Sequence, residues 1–255
     1  MILAIDVGNT NIVMGCIRDD KILFIARMAT NALKTADQYG VEMKNILELY
    51  HMNIAEIRGS IISSVVPPLS HALREAVERV TGKQPLVVGP GVKNGLNILM
   101  DNPATVGSDL VVDAVAALHE HKPPLIILDL GTATTISVVN AQGNYIGGCI
   151  YPGIRLSLDA LSARAAQLPD ISLEEPRHVI GKNTIDCMRS GVIYGNAAMV
   201  DGMIDRIEEE LGQPTTVLAT GGIARFIVPH CRRKVIYDEN LLLKGLNIIY
   251  KKNTD

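Results

Sequence analysis

Two short segments constrain this chain more than any other feature of it. Asp6-Val7-Gly8-Asn9-Thr10 closes the apolar run Ile2–Asp6, and Asp129-Leu130-Gly131-Thr132-Ala133 closes the apolar run Leu125–Asp129, 123 residues further on. Each is a strand-length run ending in a carboxylate, then a glycine turn, then a second strand-like run. The same device in the same context twice marks an internal duplication. A duplicated chain of 255 residues predicts two similar lobes rather than one large core.

Patterning on either side fits that reading. In the first half, strands are expected at Ile2–Asp6, Asn11–Ile17 and, after an Asp19-Asp20 turn, Lys21–Met28. A helix follows at Gln38–Tyr50, where Val41, Met43, Ile46, Leu47 and Tyr50 recur at steps of three or four. Gly59–Val66 reads as a strand stopped by Pro67-Pro68, Ser70–Thr81 as a helix, Leu86–Val88 as a strand and Val106–Glu120 as a helix. The second half restarts with strands at Leu125–Asp129, Thr134–Asn140 and Tyr145–Cys149. Helices at Arg155–Arg164 and Thr184–Glu210 precede the strand Thr216–Ala219, the short helix Ala224–Val228 and the closing helix Asn240–Lys251. The expected lobes are residues 1–121 and 122–255, joined around His119–Pro124, both α/β, facing each other across a ligand cleft.

The turns suggest what the ligand is. Glycine lets backbone approach a ligand closely, and the N–H groups and threonine hydroxyl of such a hairpin form a donor-rich concavity suited to phosphate oxygens. The carboxylate before each turn can hold a metal ion or its water. Thr220-Gly221-Gly222, between a strand and a helix, is the third such turn and suits the adenosine side of a nucleotide. Together these features fit phosphoryl transfer, whose catalysis is chiefly positioning and charge neutralisation.

Composition excludes other classes. A net charge of −3 gives no attraction to nucleic acid or an anionic membrane, and 4% aromatic residues without tryptophan offer no stacking platform. Cys16, Cys149, Cys187 and Cys231 lie far apart, as reduced thiols do, and form no disulfide frame or zinc site. The N-terminal apolar run lacks a basic segment before it, and no stretch approaches the roughly 20 apolar residues of a membrane span, so a cytoplasmic protein is expected. His119 and His121 lack further ligands nearby, Arg232-Arg233-Lys234 reads as a surface turn, and Asp205–Glu210 as the solvated face of the long helix.

The three turns resemble those of the actin/hexokinase/Hsp70 ATPase superfamily, with duplicated ribonuclease-H-like lobes. Within it the chain is similar to the type III pantothenate kinases over essentially its whole length. The likeness is carried by Asp6-Val7-Gly8-Asn9-Thr10-Asn11, Asp129–Thr135, Ser63–Pro68, Val88–Gly91, Gly147-Gly148, Pro152-Gly153, Arg164–Pro169, Ile180–Thr184 and Gly191–Gly195. The resemblance implies ATP-dependent phosphorylation of pantothenate to 4'-phosphopantothenate, the first step toward coenzyme A. It also implies a homodimer, Mg²⁺, and a potassium or ammonium ion. Asp6, Val7, Gly8, Asn9, Thr10, Asn11, Ile12 and Val13 then form the first phosphate loop, with Asp6 close to Mg²⁺. Gly131, Thr132, Gly221 and Gly222 contact ATP, and Asp129 falls at the monovalent cation. Asp109 matches the general base, and Met100, Gly107, Ser108, Asp109, Leu110 and Thr184 the acceptor site, Thr184 reaching it from the partner subunit.

At two acceptor positions, Met100 and Leu110, the family pattern's polar contact is lost, and Ser108 replaces its alanine. Gly107-Ser108-Asp109-Leu110 stands where the family has Gly-Ala-Asp-Arg, and Met100 where it has tyrosine before Asn102-Pro103. Leucine removes a charged fork and methionine a phenol donor. These changes leave open a nucleotide-binding paralogue with a regulatory role, as in the Bvg accessory factor branch, and a kinase for another small hydroxylated acceptor.

Overall fold

The structure is a computed structural model and describes residues 1–254. Its first sheet consists of β1 (Ile2–Val7), β2 (Asn11–Arg18), β3 (Lys21–Ala29), β4 (Gly59–Ser64) and β5 (Leu86–Val87), in the spatial order β3-β2-β1-β4-β5. The first three strands form an antiparallel meander, and β4 and β5 add in parallel on the other side of β1. The second sheet holds β6 (Asn97–Ile98), β7 (Leu125–Leu130), β8 (Ala133–Val139), β9 (Asn144–Pro152), β10 (Thr216–Thr220) and β11 (Ile236–Tyr237), ordered β11-β10-β7-β8-β9-β6. Without the edge strand β6 this is the first order again, with the same strand directions. The molecule therefore has the duplicated ribonuclease-H-like fold that the sequence predicts.

In the first sheet β1 is buried at every position, which is why its sequence is apolar at every residue but Asp6 rather than alternating. Leu3, Ile5 and Val7 share a core with Tyr39, Met43 and Leu47 of α1 (Ala36–Leu49) and Leu73 and Val77 of α2 (Ser70–Thr81). The opposite face, which carries Ala4, Asp6, Ile61 and Ser63, is covered by α7, the C-terminal helix Leu241–Thr254, while α3 (Ser108–Glu120) starts against the end of β4. In the second sheet Ile126, Leu128 and Leu130 pack with α4 (Ile154–Arg164), α5 (Thr184–Leu211) and α6 (Ala224–Ile227), which leaves Ile127 and Asp129 on the other face.

The chain forms two compact units, and their boundary is less linear than a single cut after residue 121. The first gathers Met1–Leu96, Asn102–Ala116 and the segment from Asn240 onward; the second holds Asn97–Asp101 and Ala117–Glu239. Two interactions account for the crossings. Asn97 and Ile98 pair in parallel with Asn144 and Tyr145 of β9. Helix α7 is clasped to the first sheet, where Asn247 and Lys251 donate to Asp20 Oδ1 at 2.7 and 2.6 Å.

Candidate functional site

In the first unit, β1 and β2 meet in a hairpin whose tip residues Asn9, Thr10 and Asn11 are exposed. Gly8 N–H donates to Asn11 O at 3.0 Å and closes the turn. Thr30, the residue after β3, holds the tip twice. Its Oγ1 donates to Gly8 O at 2.7 Å and its N–H to Thr10 O at 3.0 Å. Asp6 is only 9% exposed and pairs across the sheet with Val13 of β2 and Ser63 of β4. Val7 and Ile12 point into the core, so they can offer a ligand only their backbone groups.

Helix α3 begins beside this carboxyl-terminal edge of the sheet. Ser108 Oγ lies 3.0 Å from Ser63 Oγ, accepts from Ser64 N–H at 3.1 Å, and lies 3.1 Å from Ser64 O. The first residue of α3 is thereby fastened to the end of β4, the strand next to Asp6. Asp109 follows, its Oδ1 accepting from Leu110 N–H at 2.8 Å. Burial pushes this carboxyl above the usual carboxylate range, against the opposing pull of the Leu110 N–H and its own N–H. A Cβ on Gly107 would sit 2.4 Å from Asp109 Oδ1, so any side chain there would displace the carboxylate. Leu110 is half-buried. One edge of one sheet thus carries a donor-lined hairpin and two carboxylates, at the strand ends where α/β sheets bind ligands.

The second unit repeats the hairpin one residue tighter, pairing Asp129 with Thr135 where the first pairs Asp6 with Val13. Gly131 N–H donates to Ala133 O at 3.1 Å. Gly153, the residue after β9, donates its N–H to Thr132 O at 3.1 Å, as Thr30 does to Thr10 O after β3. A Cβ on Gly153 would lie 2.1 Å from Thr132 O, so its backbone runs directly against the hairpin. Asp129 also pairs with Thr220, and Gly221 closes the third turn over it. Gly221 has φ +91°, and a Cβ there would meet Asp129 Oδ1 at 2.6 Å. Gly222 is exposed beyond it. The second and third turns are therefore one packed structure.

The two halves differ around the aspartate. Asp129 is flanked on its face by Thr135 and Thr220, where Asp6 is flanked by Val13 and Ser63. Thr135 Oγ1 is buried and takes no hydrogen bond. A carboxylate with hydroxyl oxygens beside it is a donor set for a hard cation.

Met100 follows β6, half-buried, its Sδ 3.6 Å from where a Gly147 Cβ would sit. Thr184 is the exposed first residue of α5, capped by Asn183, whose Oδ1 accepts from Asp186 N–H at 2.9 Å. Residues 6–13 and 107–110 lie in the first unit; Met100, Asp129, Gly131, Thr132, Thr184, Gly221 and Gly222 lie in the second. Arg233 pairs with Asp205 and Glu208, as a surface turn would. Thr30 escapes sequence reasoning, and Thr135 and Gly153 enter it only as part of the resemblance, with no role of their own. The signal for Thr30 and Gly153 was their shared place immediately after the third strand of each half. Among the described residues no group of three or more His, Cys, Asp or Glu could hold a metal ion, and no helix is long and apolar enough to cross a membrane.

Comparison with known proteins bears on the family and the fold. The family profile described as type III pantothenate kinase matches residues 2–206. A type III pantothenate kinase of Bacillus cytotoxicus is 45% identical over 253 residues, covering 99% of this chain and 97% of that protein. Among solved structures, the (R)-2-hydroxyglutaryl-CoA dehydratase component A of Acidaminococcus fermentans superposes with TM-score 0.58 at 15% identity, over 100% of this chain and 99% of the other. A ROK hexokinase of Thermus thermophilus gives 0.52 at 14% identity, over 98% and 99%. These structural likenesses speak for the fold alone.

Proposed function

The chain belongs to the type III pantothenate kinase family, and from that premise we propose that it transfers the γ-phosphoryl group of ATP to the primary hydroxyl of pantothenate, opening coenzyme A synthesis. The observation that carries this reading is Asp109. It is a half-buried carboxylate whose pKa is raised by desolvation, held by the Leu110 N–H at the same sheet edge as the first hairpin and Asp6.

In the proposed reaction the N–H groups and hydroxyls at Gly8–Asn11 and at Gly131–Thr132 hold phosphate oxygens of ATP. Gly221 and Gly222 lie along its nucleoside. Asp109 accepts the proton of the acceptor hydroxyl as its oxygen attacks the γ-phosphorus, and ADP leaves. Mg²⁺, when bound, neutralises charge on the phosphates; Asp6 is the residue that would hold it. A potassium or ammonium ion fits Asp129, where Thr135 Oγ1 is an unsatisfied buried oxygen on the same face.

A homodimer belongs to the same reading. It is supported by an exposed stripe of small residues, Gly191, Gly195 and Ala198, along the 28-residue helix α5 that begins at Thr184. Cytoplasmic location accords with the chemistry. A second reading, a kinase for another hydroxylated acceptor, is favoured by Leu110 and Met100, which present apolar surface where the family pattern has arginine and tyrosine.

Coupled ADP release, measured with and without pantothenate in potassium and in sodium buffers, tests the proposal. Pantothenate-dependent release, faster in potassium, is expected. Release dependent on another hydroxylated compound alone favours the second reading, and none with any acceptor refutes both.

A further inference from the structure

Ser108 stands where the family pattern has alanine, yet its hydroxyl makes three short contacts to two consecutive residues of β4. Ser63 Oγ, Ser64 N–H and Ser64 O lie at 3.0, 3.1 and 3.1 Å. Its neighbours on either side bear on the candidate base. Gly107 lies so close to the Asp109 carboxylate that any side chain would displace it, and Asp109 itself is the next residue along. Ser63 is fully buried and pairs with Asp6 across the sheet, so the clasp ties the start of α3 to the strand beside the first phosphate hairpin. A helix terminus held by one side chain on two adjacent strand residues has little freedom to slide or tilt there.

We propose that Ser108 is a positioning residue, whose hydroxyl, clasped by Ser63 and Ser64, fixes the first turn of α3 so that Asp109 is held in register with the Asp6 hairpin. Its hydroxyl is committed to the strand, so it acts on the reaction through Asp109 and not by touching the acceptor. The proposal rests on the kinase reading above, and it accounts for a serine where alanine would fill the same space. With alanine the helix start loses its polar anchor, and the buried Ser63 hydroxyl loses its partner at the same time. A displacement of the base by a fraction of an ångström then costs rate and leaves nucleotide binding alone.

The test is steady-state kinetics of the full chain and of Ser108→Ala and Ser108→Thr, with thermal unfolding followed in parallel. Ser108→Ala is expected to lower kcat about tenfold per folded molecule while the KM for ATP stays within twofold, and Ser108→Thr, which keeps the hydroxyl, to recover most of the loss. A merely structural serine would lower the melting temperature and leave kcat per folded molecule unchanged, which overturns the proposal. Equal losses in Ser108→Ala and Ser108→Thr overturn it too, because the hydroxyl is then irrelevant. Asp109→Asn is run alongside. If it turns over as fast as the unsubstituted protein, the assignment of the base fails and this inference with it. If Asp109→Asn is slow and Ser108→Ala is not, only the clasp is refuted.

Discussion

At the scale of single residues, the proposed chemistry turns on one carboxylate whose environment works against its charge. Burial raises the Asp109 pKa, and the N–H groups of Leu110 and Asp109 only partly offset it. Two consequences of opposite sign follow. As a general base Asp109 must be ionised, so kcat falls as pH drops through its raised pKa, above the usual aspartate value of about 4. For stability the protonated form is the favoured one in the fold. Its contribution is complete below the unfolded pKa and is lost as pH rises through the folded one, so at neutral pH the ionised group weakens the fold. Asp109→Asn should therefore lower kcat roughly 10²-fold or more while leaving the melting temperature at neutral pH equal or higher, an advantage that shrinks toward pH 4. A variant both slower and markedly less stable at neutral pH would contradict this balance. The carboxylate was legible in sequence only through the family motif, because an acidic residue in the first turn of a helix is ordinary on electrostatic grounds alone. The serine clasp beside it depends on β4, more than 40 residues away in the chain, and no local pattern reports such a partner.

At the scale of elements, helix α3 is held at two places, and the second lies in its middle. A Cβ on Gly245 of α7 would fall 2.1 Å from Val112 O, so the backbones of the two helices touch where only glycine fits. Gly245→Ala must push α7 away from α3, and no flexible side chain is there to yield. Overpacking of this kind costs about 1–3 kcal/mol, which for a protein of this size is a fall of roughly 2–12 °C in melting temperature. Calorimetry checks it, and an unchanged melting temperature would mean the helices part without cost. Most elements themselves could be read from periodicity and punctuation. The helix at 70–81 falls where expected, and the Asp19-Asp20 turn has both residues at positive φ, as a two-residue hairpin turn requires. Helix α1 starts two residues before the expected Gln38 because Thr35 and Gln38 form a reciprocal cap, which moves the boundary outward. The strands at 97–98 and 236–237 were not legible. Two residues carry no alternation, and what makes them strands is the partner strand alongside.

At the scale of the whole molecule, the duplication was visible because each half had to keep the same strand, carboxylate and glycine turn. The exchange of segments between the units was not, since it depends on where α7 finds an apolar face after the second sheet is complete. Nor does one chain reveal whether a site draws on two copies, and that question leads to a sharp test of the proposed dimer. Suppose Thr184 serves the acceptor site of the partner subunit while Asp109 serves its own. Asp109→Asn and Thr184→Ala are then each nearly inactive alone. In a mixed dimer, the site built on the Thr184→Ala copy has an intact Asp109 of its own and an intact Thr184 from its partner. The other site carries both lesions. Half of a randomly exchanged population is mixed and each mixed dimer has one whole site, so mixing equal amounts should restore about a quarter of the unsubstituted activity. If both residues act within one chain, every site in every combination keeps a lesion and mixing restores nothing. Subunit exchange is driven by mild denaturation and refolding of the mixture, and sedimentation of the refolded material verifies that it is dimeric. Activity that stays at the level of the separate variants in verified mixed dimers would rule out a shared acceptor site.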